Sequence, residues 1–306
     1  MKIPYFDAHC DTPVPVHYQN ASLRKNEFHL DLERLSRFKP CAQVFSVCVR
    51  HGETMIAETD DVLTTFTREI DANDDLVALC RSAKDIDDAV REGKIAALLS
   101  IEGAEKFNCS IMKLAGMYTR GVRIVHLTWN HDNALCGAAV DSGSGLTDQG
   151  RGFVRAAQSM GVALDMSHIS ERGFWDVLEI AEKPVLAGHS DSQALCDVKR
   201  NLSDKQFVAL VRTGGVAGLN FCTDFLGLGR NIDAVVAHAE HYLELGGEKA
   251  VCLGGDLDGI SELPGGIAGV QSLDELYEAM LRKNWSEALV QDIFWGNLRA
   301  YFGRVL

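Results

Sequence analysis

Short, almost uninterrupted apolar runs alternate along this chain with longer stretches in which apolar residues recur every three or four positions. The runs fall at residues 42–49, 94–101, 121–128, 162–166, 184–187, 215–221 and 250–253, and residues 6–11 read as a further, more polar strand before them. Such continuous hydrophobicity predicts strands covered on both faces, as in a parallel sheet wrapped by helices. Helical spacing predicts a helix over 58–82, where Val62, Phe66 and Ile70 share a face behind Asp60 and Asp61, and others over 85–92, 110–119, 147–160, 170–182, 203–212 and 232–245. Thr147 and Ser170 suit the caps of two of them. Residues 12–40 read as polar and irregular with a short helix near 31–38, and 272–301 as helical in pieces. Eight strands, most followed by a helix, predict a (β/α)₈ TIM-type barrel, one domain over residues 1–306.

In such a barrel the chemistry sits at the C-terminal ends of the strands. If residues 6–11 are extended, His9 and Asp11 leave the same face together. Four later runs also end on a polar group: Ser100-Ile101-Glu102-Gly103, Asp165-Met166-Ser167-His168, Ala187-Gly188-His189-Ser190 and Gly254-Gly255-Asp256-Leu257-Asp258-Gly259. His9, Asp11, Glu102, His168 and His189 supply nitrogen and oxygen donors without thiolate, a set that suits zinc ahead of manganese, cobalt or iron. Five ligands exceed what one catalytic zinc with an open position needs, so two zinc ions sharing Glu102 are expected, as in a metal-dependent hydrolase. His9 and Asp11 would complete one shell, His168 and His189 the other. A water between the ions becomes a hydroxide nucleophile near neutral pH, and Asp256 is placed to take its proton and pass it to a leaving amine. The expected reaction is hydrolysis of an acyl bond.

A net charge of -13 repels nucleic acid and anionic membrane, which leaves a small molecule as the expected partner. Nine scattered cysteines without a Cys-x-x-Cys pair, Cys48, Cys222 and Cys252 among them within apolar runs, predict reduced, mostly buried thiols. No apolar run reaches the about 20 residues of a membrane span, and a cleaved signal peptide would remove His9 and Asp11; a cytoplasmic protein is expected. Apolar positions near the tail are compatible with a homodimer. His238 and His241 read as an exposed helix surface. Ser167 and Ser190 lack the Gly-x-Ser-x-Gly elbow of a serine hydrolase.

The order His9-x-Asp11, Glu102-Gly103, Leu127-Thr128-Trp129-Asn130, Asp165-Met166-Ser167-His168, His189-Ser190, Arg200-Asn201 and Gly255-Asp256-Leu257-Asp258-Gly259 closely resembles the renal (membrane) dipeptidase family of the amidohydrolase superfamily. The likeness runs from Asp7 to the region of Asn297-Leu298 and points to a soluble bacterial-type member. It implies a dipeptidase with two zinc ions on the five ligands named, Asp256 as the catalytic acid position with Asp258 the alternative, and tolerance of a C-terminal D-residue. It also implies that Arg200 receives the dipeptide's terminal carboxylate, a task suited to a planar guanidinium. In one place the chain departs from the pattern. The family's histidine after the Leu-Thr of the fourth strand, which polarises the scissile carbonyl, is replaced by Trp129; His131, two residues on, or the metal alone would take over. Two rival readings remain: another metal hydrolase acting on a cyclic amide, lactone, acylated amino acid or phosphoester, and a non-catalytic binding protein on the same barrel.

Overall fold

The computed structural model describes residues 2–227 and 229–306. Its strands are β1 (Tyr5–Cys10), β2 (Cys41–Val47), β3 (Val77–Leu79), β4 (Ile95–Ile101), β5 (Val122–His126), β6 (Ala163–Asp165), β7 (Leu186–Ala187), β8 (Val216–Leu219) and β9 (Val251–Leu253). All neighbours are parallel, in the order β2-β1-β9-β8-β7-β6-β5-β4, and pairing of β2 with β4 closes the ring into the expected eight-stranded TIM barrel. The ninth strand, β3, is outside the ring. It pairs only with the start of β4, from Val77 opposite Ile95 to Leu79 opposite Ala97. Its residues had been expected in the helix over 58–82, which instead covers Met55–Ala72. Asn73 ends that helix: its side chain bonds the Glu69 carbonyl, and its own carbonyl accepts from Leu76 and Val77, the local bonding by which Asn favours turns over helix. A second difference is the helix Pro13–Tyr18 within the stretch read as irregular, started by a proline at its first position.

Helix starts follow side-chain caps. Ser82, Ser110, Thr147, Ser170 and Ser203 each accept a hydrogen bond from the backbone amide three residues on, so each helix begins at a set place after its strand. The lower barrel interior is filled by Phe6, Val44, Leu98, Ile124, Ala163, Leu186, Val216 and Cys252, in one apolar cluster with Leu298, Tyr301 and Phe302 of the last helix. Phe6 stacks on Phe302 with ring centroids 5.5 Å apart. The tail thus plugs the floor, and the opposite end is left to the polar strand termini. No helix among the described residues is long and apolar enough to cross a membrane.

Strict alternation from the inward Phe6 would turn Ala8 inward and His9 outward. A register shift between Asp7, opposite Gln43, and Cys10, opposite Phe45, inserts one residue and reverses the parity. This bulge brings His9 to the barrel mouth. On the far side, β7 to β9 converge through Gly188, Gly218 and Gly254: a Cβ at either of the last two would run into the Gly188 carbonyl oxygen. Gly218→Ala is therefore expected to lower the unfolding free energy by about 1–3 kcal/mol. Urea denaturation checks it, and an unchanged midpoint would show that the backbones are not in close approach.

Candidate metal centre

Buried carboxylates fix the strand ends. Asp7 accepts from the His9 amide (2.9 Å) and the Gly255 amide (2.8 Å), and Asp165 from the amides of Ser167 and Gly188 (both 2.9 Å). Asp191 accepts from the Asn220 amide at 3.1 Å. Each thus ties backbone around the mouth and limits the movement of the donors beside it. His168 and Asp256 themselves adopt positive φ, 70° and 55°, uncommon for residues other than glycine and a mark of functional sites.

The six residues singled out at strand ends meet in one place. Glu102 stands between two groups. Its Oε1 lies 2.7 Å from His168 Nε2 and 3.3 Å from His189 Nε2, and those two nitrogens face each other at 3.0 Å. Its Oε2 lies 3.6 Å from His9 Nε2, which is 3.7 Å from Asp11 Oδ2 and 3.8 Å from Asp256 Oδ1. His168 Nδ1 is engaged by Asn130 Oδ1 at 2.9 Å, which leaves Nε2 directed at the cluster. Both nitrogens of His9, Asp11 Oδ1 and His189 Nδ1 are buried without a hydrogen-bond partner. Buried polar atoms are rarely left so. Imidazoles and carboxylates aimed at one another with unpaired atoms are what a divalent cation satisfies, so these residues fit a metal.

The charges lead to the same conclusion. Burial opposes protonation of His9, but Glu102, Asp11 and Asp256 together outweigh it and push its pKa up to about 10. Burial, reinforced by Glu102, raises Asp11 to about 7. Burial and then Arg200 bring His168 down to about 3, and burial and then His9 hold His189 well below its ordinary value. Burial works against the Glu102 carboxylate, yet His9 and His168 hold its pKa well below the usual range. Near neutrality the metal-free cluster therefore keeps a proton on His9 and shares one on Asp11, and an ion must displace them. Metal affinity is expected to rise about tenfold per pH unit between roughly pH 7 and 9. With both pKa values raised on folding, the metal-free protein loses stability as pH rises. The His9 contribution is full below about 6.5 and gone above about 10. Melting of metal-free and metal-loaded protein across this range checks it; a metal-induced gain that does not grow with pH would refute the assignment.

Arg200 is buried beside the cluster, its guanidinium 5.5 Å from the Phe225 ring and Nη2 3.5 Å from the His189 carbonyl. It shares a cleft of about 1440 Å³ with Asp11, Glu102, His168 and Asp256, and Trp129, His131 and Asp258 also line it. Trp129 lies under the Lys106 ammonium at 4.8 Å. His131 is exposed, 5.2 Å from the His51 ring and 3.9 Å from Asp141. Asp258 is engaged elsewhere: its oxygens accept from the Thr12 hydroxyl (2.6 Å) and the His29 amide (2.7 Å).

Some expectations need correction. Cys48 and Cys222 are only partly buried and line the cleft, whereas Cys252 is buried as expected; all nine cysteines are free. His238 is not on a helix surface but fully buried, its Nδ1 accepting from the Ser192 amide at 3.0 Å. Sequence reasoning also passed over Asn130, Asn220, whose Nδ2 donates to Asp256 Oδ2 at 3.2 Å, and His126. The last had a signal, a polar side chain closing the apolar run of its strand, but Leu127 and Thr128 carry that run past it.

A family model described as "Membrane dipeptidase (Peptidase family M19)" matches residues 1–305. The chain belongs to the membrane dipeptidase family. Among the relatives of this M19 chain is an uncharacterized protein in the pqqA 5′ region of Klebsiella pneumoniae, 34% identical over 234 residues, 72% of this chain and 85% of that one. A metallopeptidase from Rhodobacter sphaeroides, liganded with a phosphinate mimic of the dipeptide L-Ala-D-Ala, superposes with a TM-score of 0.93 at 25% identity over 100% of both chains. The metallopeptidase dipeptidase AC, also of family M19, gives 0.92 at 26% identity over 100% of this chain and 99% of its own. The M19 family and these structures support a metal-dependent dipeptidase, and the buried His/Glu cluster is a group able to hold the metal.

Proposed function

We propose that this M19 chain hydrolyses dipeptides, including those with a C-terminal D-residue, at a centre that holds two zinc ions. The observation that carries the reading is the division of Glu102: Oε1 faces His168 and His189, Oε2 faces His9. One carboxylate thereby serves two donor groups, with Asp11 completing the second. When bound, the ions supply the charge that lowers the pKa of a water toward neutrality, so that hydroxide attacks the peptide carbonyl.

The other steps belong to side chains. Asp256, oriented by Asn220, takes the proton from the attacking water and delivers it to the leaving amine. Arg200 binds the terminal carboxylate of the substrate, its single long contact to a carbonyl leaving most of its donors for a ligand. Trp129 forms part of the cleft wall, and His131 stands exposed at its rim, where it would meet substrate from the solvent side. Asp258, held by Thr12 and His29, keeps the loop after β9 in place. The phosphinate ligand of the Rhodobacter sphaeroides enzyme, a mimic of L-Ala-D-Ala, supports the D-residue.

Metal analysis of the purified protein, with a panel of L,L and L,D dipeptides assayed before and after chelation, tests this. Dipeptide turnover lost to the chelator and restored by zinc is expected, with a fall of more than about 100-fold in the stripped protein. Turnover of a cyclic amide, lactone, acylated amino acid or phosphoester with every dipeptide inert would overturn it, as would protein free of bound metal.

A further inference from the structure

His126 closes β5, near Glu102 at the end of β4 and opposite Asp165 on β6. It is fully buried. Its Nε2 lies 3.2 Å from Asp165 Oδ2 without the alignment of a hydrogen bond, and Nδ1 has no partner. Its ring is 5.3 Å from that of His9, nearly perpendicular to it, and 5.4 Å from that of His189. The ligand atoms of His9, Glu102, His126 and His189 all lie within 4.8 Å of one another.

We propose that His126 is a sixth ligand of the metal centre, with Asp165 holding its other ring nitrogen. The proposal rests on the metal-dependent reading above and adds to its five ligands. Three considerations carry it. An imidazole with no aligned hydrogen bond at either nitrogen is a costly thing to bury, and a cation on one side with a carboxylate on the other satisfies both. Asp165 is the right partner because its other oxygen is already fixed by the amides of Ser167 and Gly188, so Oδ2 is held in place to orient a ring. Finally, His126 lies within ligand reach of Glu102, the carboxylate shared by both donor groups, and adds an imidazole to a nitrogen and oxygen set of the kind zinc takes.

The test is His126→Phe, which keeps a ring and removes the donor, with His126→Gln beside it. Metal content, chelator competition and the visible absorption of the cobalt-loaded protein are read together. Retention of fewer than two ions, or at least about tenfold weaker affinity, with a shifted cobalt band is expected. Two ions held with native affinity and an unchanged cobalt spectrum in both variants would overturn the proposal, leaving the five-ligand reading intact. A native protein that takes up no metal would overturn both. Should neither variant fold, X-ray absorption of the native zinc protein decides: four imidazoles across the two ions support the assignment, and three refute it.

Discussion

Glu102→Gln is expected to leave a folded protein that retains at most one ion and cleaves dipeptides more than about 100-fold more slowly than the native chain. That bound is a floor, since changing an outer-shell partner already costs about 10–100-fold in affinity or activity and Glu102 touches both donor groups directly. The amide keeps the size and one acceptor oxygen, so packing is preserved, but its NH₂ faces either the His168 and His189 nitrogens or that of His9. Neither orientation serves two cations. Without metal the change acts on protons: the Glu102 carboxylate that supports protonated His9 is gone, so the His9 pKa should fall from about 10, and affinity for any remaining ion should depend less on pH. Metal content by mass spectrometry and kcat/KM on one dipeptide check this. Two retained ions with activity within tenfold of native would mean that Glu102 is not shared.

The barrel was legible because its strands are buried on both faces and therefore read as continuous apolar runs, which helices on a barrel surface cannot imitate. β3 was not. Val77 and Cys80 continue the spacing of the preceding helix, and only contact with Ile95 to Ala97 makes Val77–Leu79 a strand. The donors could be found by one rule, a polar side chain that ends an apolar run, and that rule works where the polar residue is the last of its run, as at Glu102 and His189. It fails at His126, where the run continues into Leu127 and Thr128. The bulge in β1 was hidden too, since Asp7-Ala8-His9 contains no glycine to announce it and Asp7 secures it through the distant Gly255 amide. Sequence spacing put His9 and Asp11 on one face but could not tell which face that was.

The choice between Asp256 and Asp258 likewise depends on contacts distant in sequence, and the Asp256→Asn variant puts it to the test. Asparagine is nearly isosteric, and its amide oxygen can take the place of Oδ2 in accepting from Asn220, so the variant should fold and bind two ions. What it loses is a proton-accepting oxygen, and removal of a general acid-base costs about 10²–10⁴-fold in rate. The expected result is a drop of that order in kcat with KM within a few-fold. Burial raises the Asp256 pKa, His9 lowers it, and Glu102 raises it again. Metal loading strips His9 of its proton and so removes that lowering influence, while the cations themselves favour the ionised form. As the base, Asp256 must be ionised, so the acid limb of the native kcat profile that reports it should vanish in the variant. Asp258→Asn should instead lower thermal stability by loosening the Thr12 and His29 contacts while leaving the acid limb where it was. If the two variants exchanged these phenotypes, the proton carrier would be Asp258, and the positive φ at Asp256 would serve only the loop.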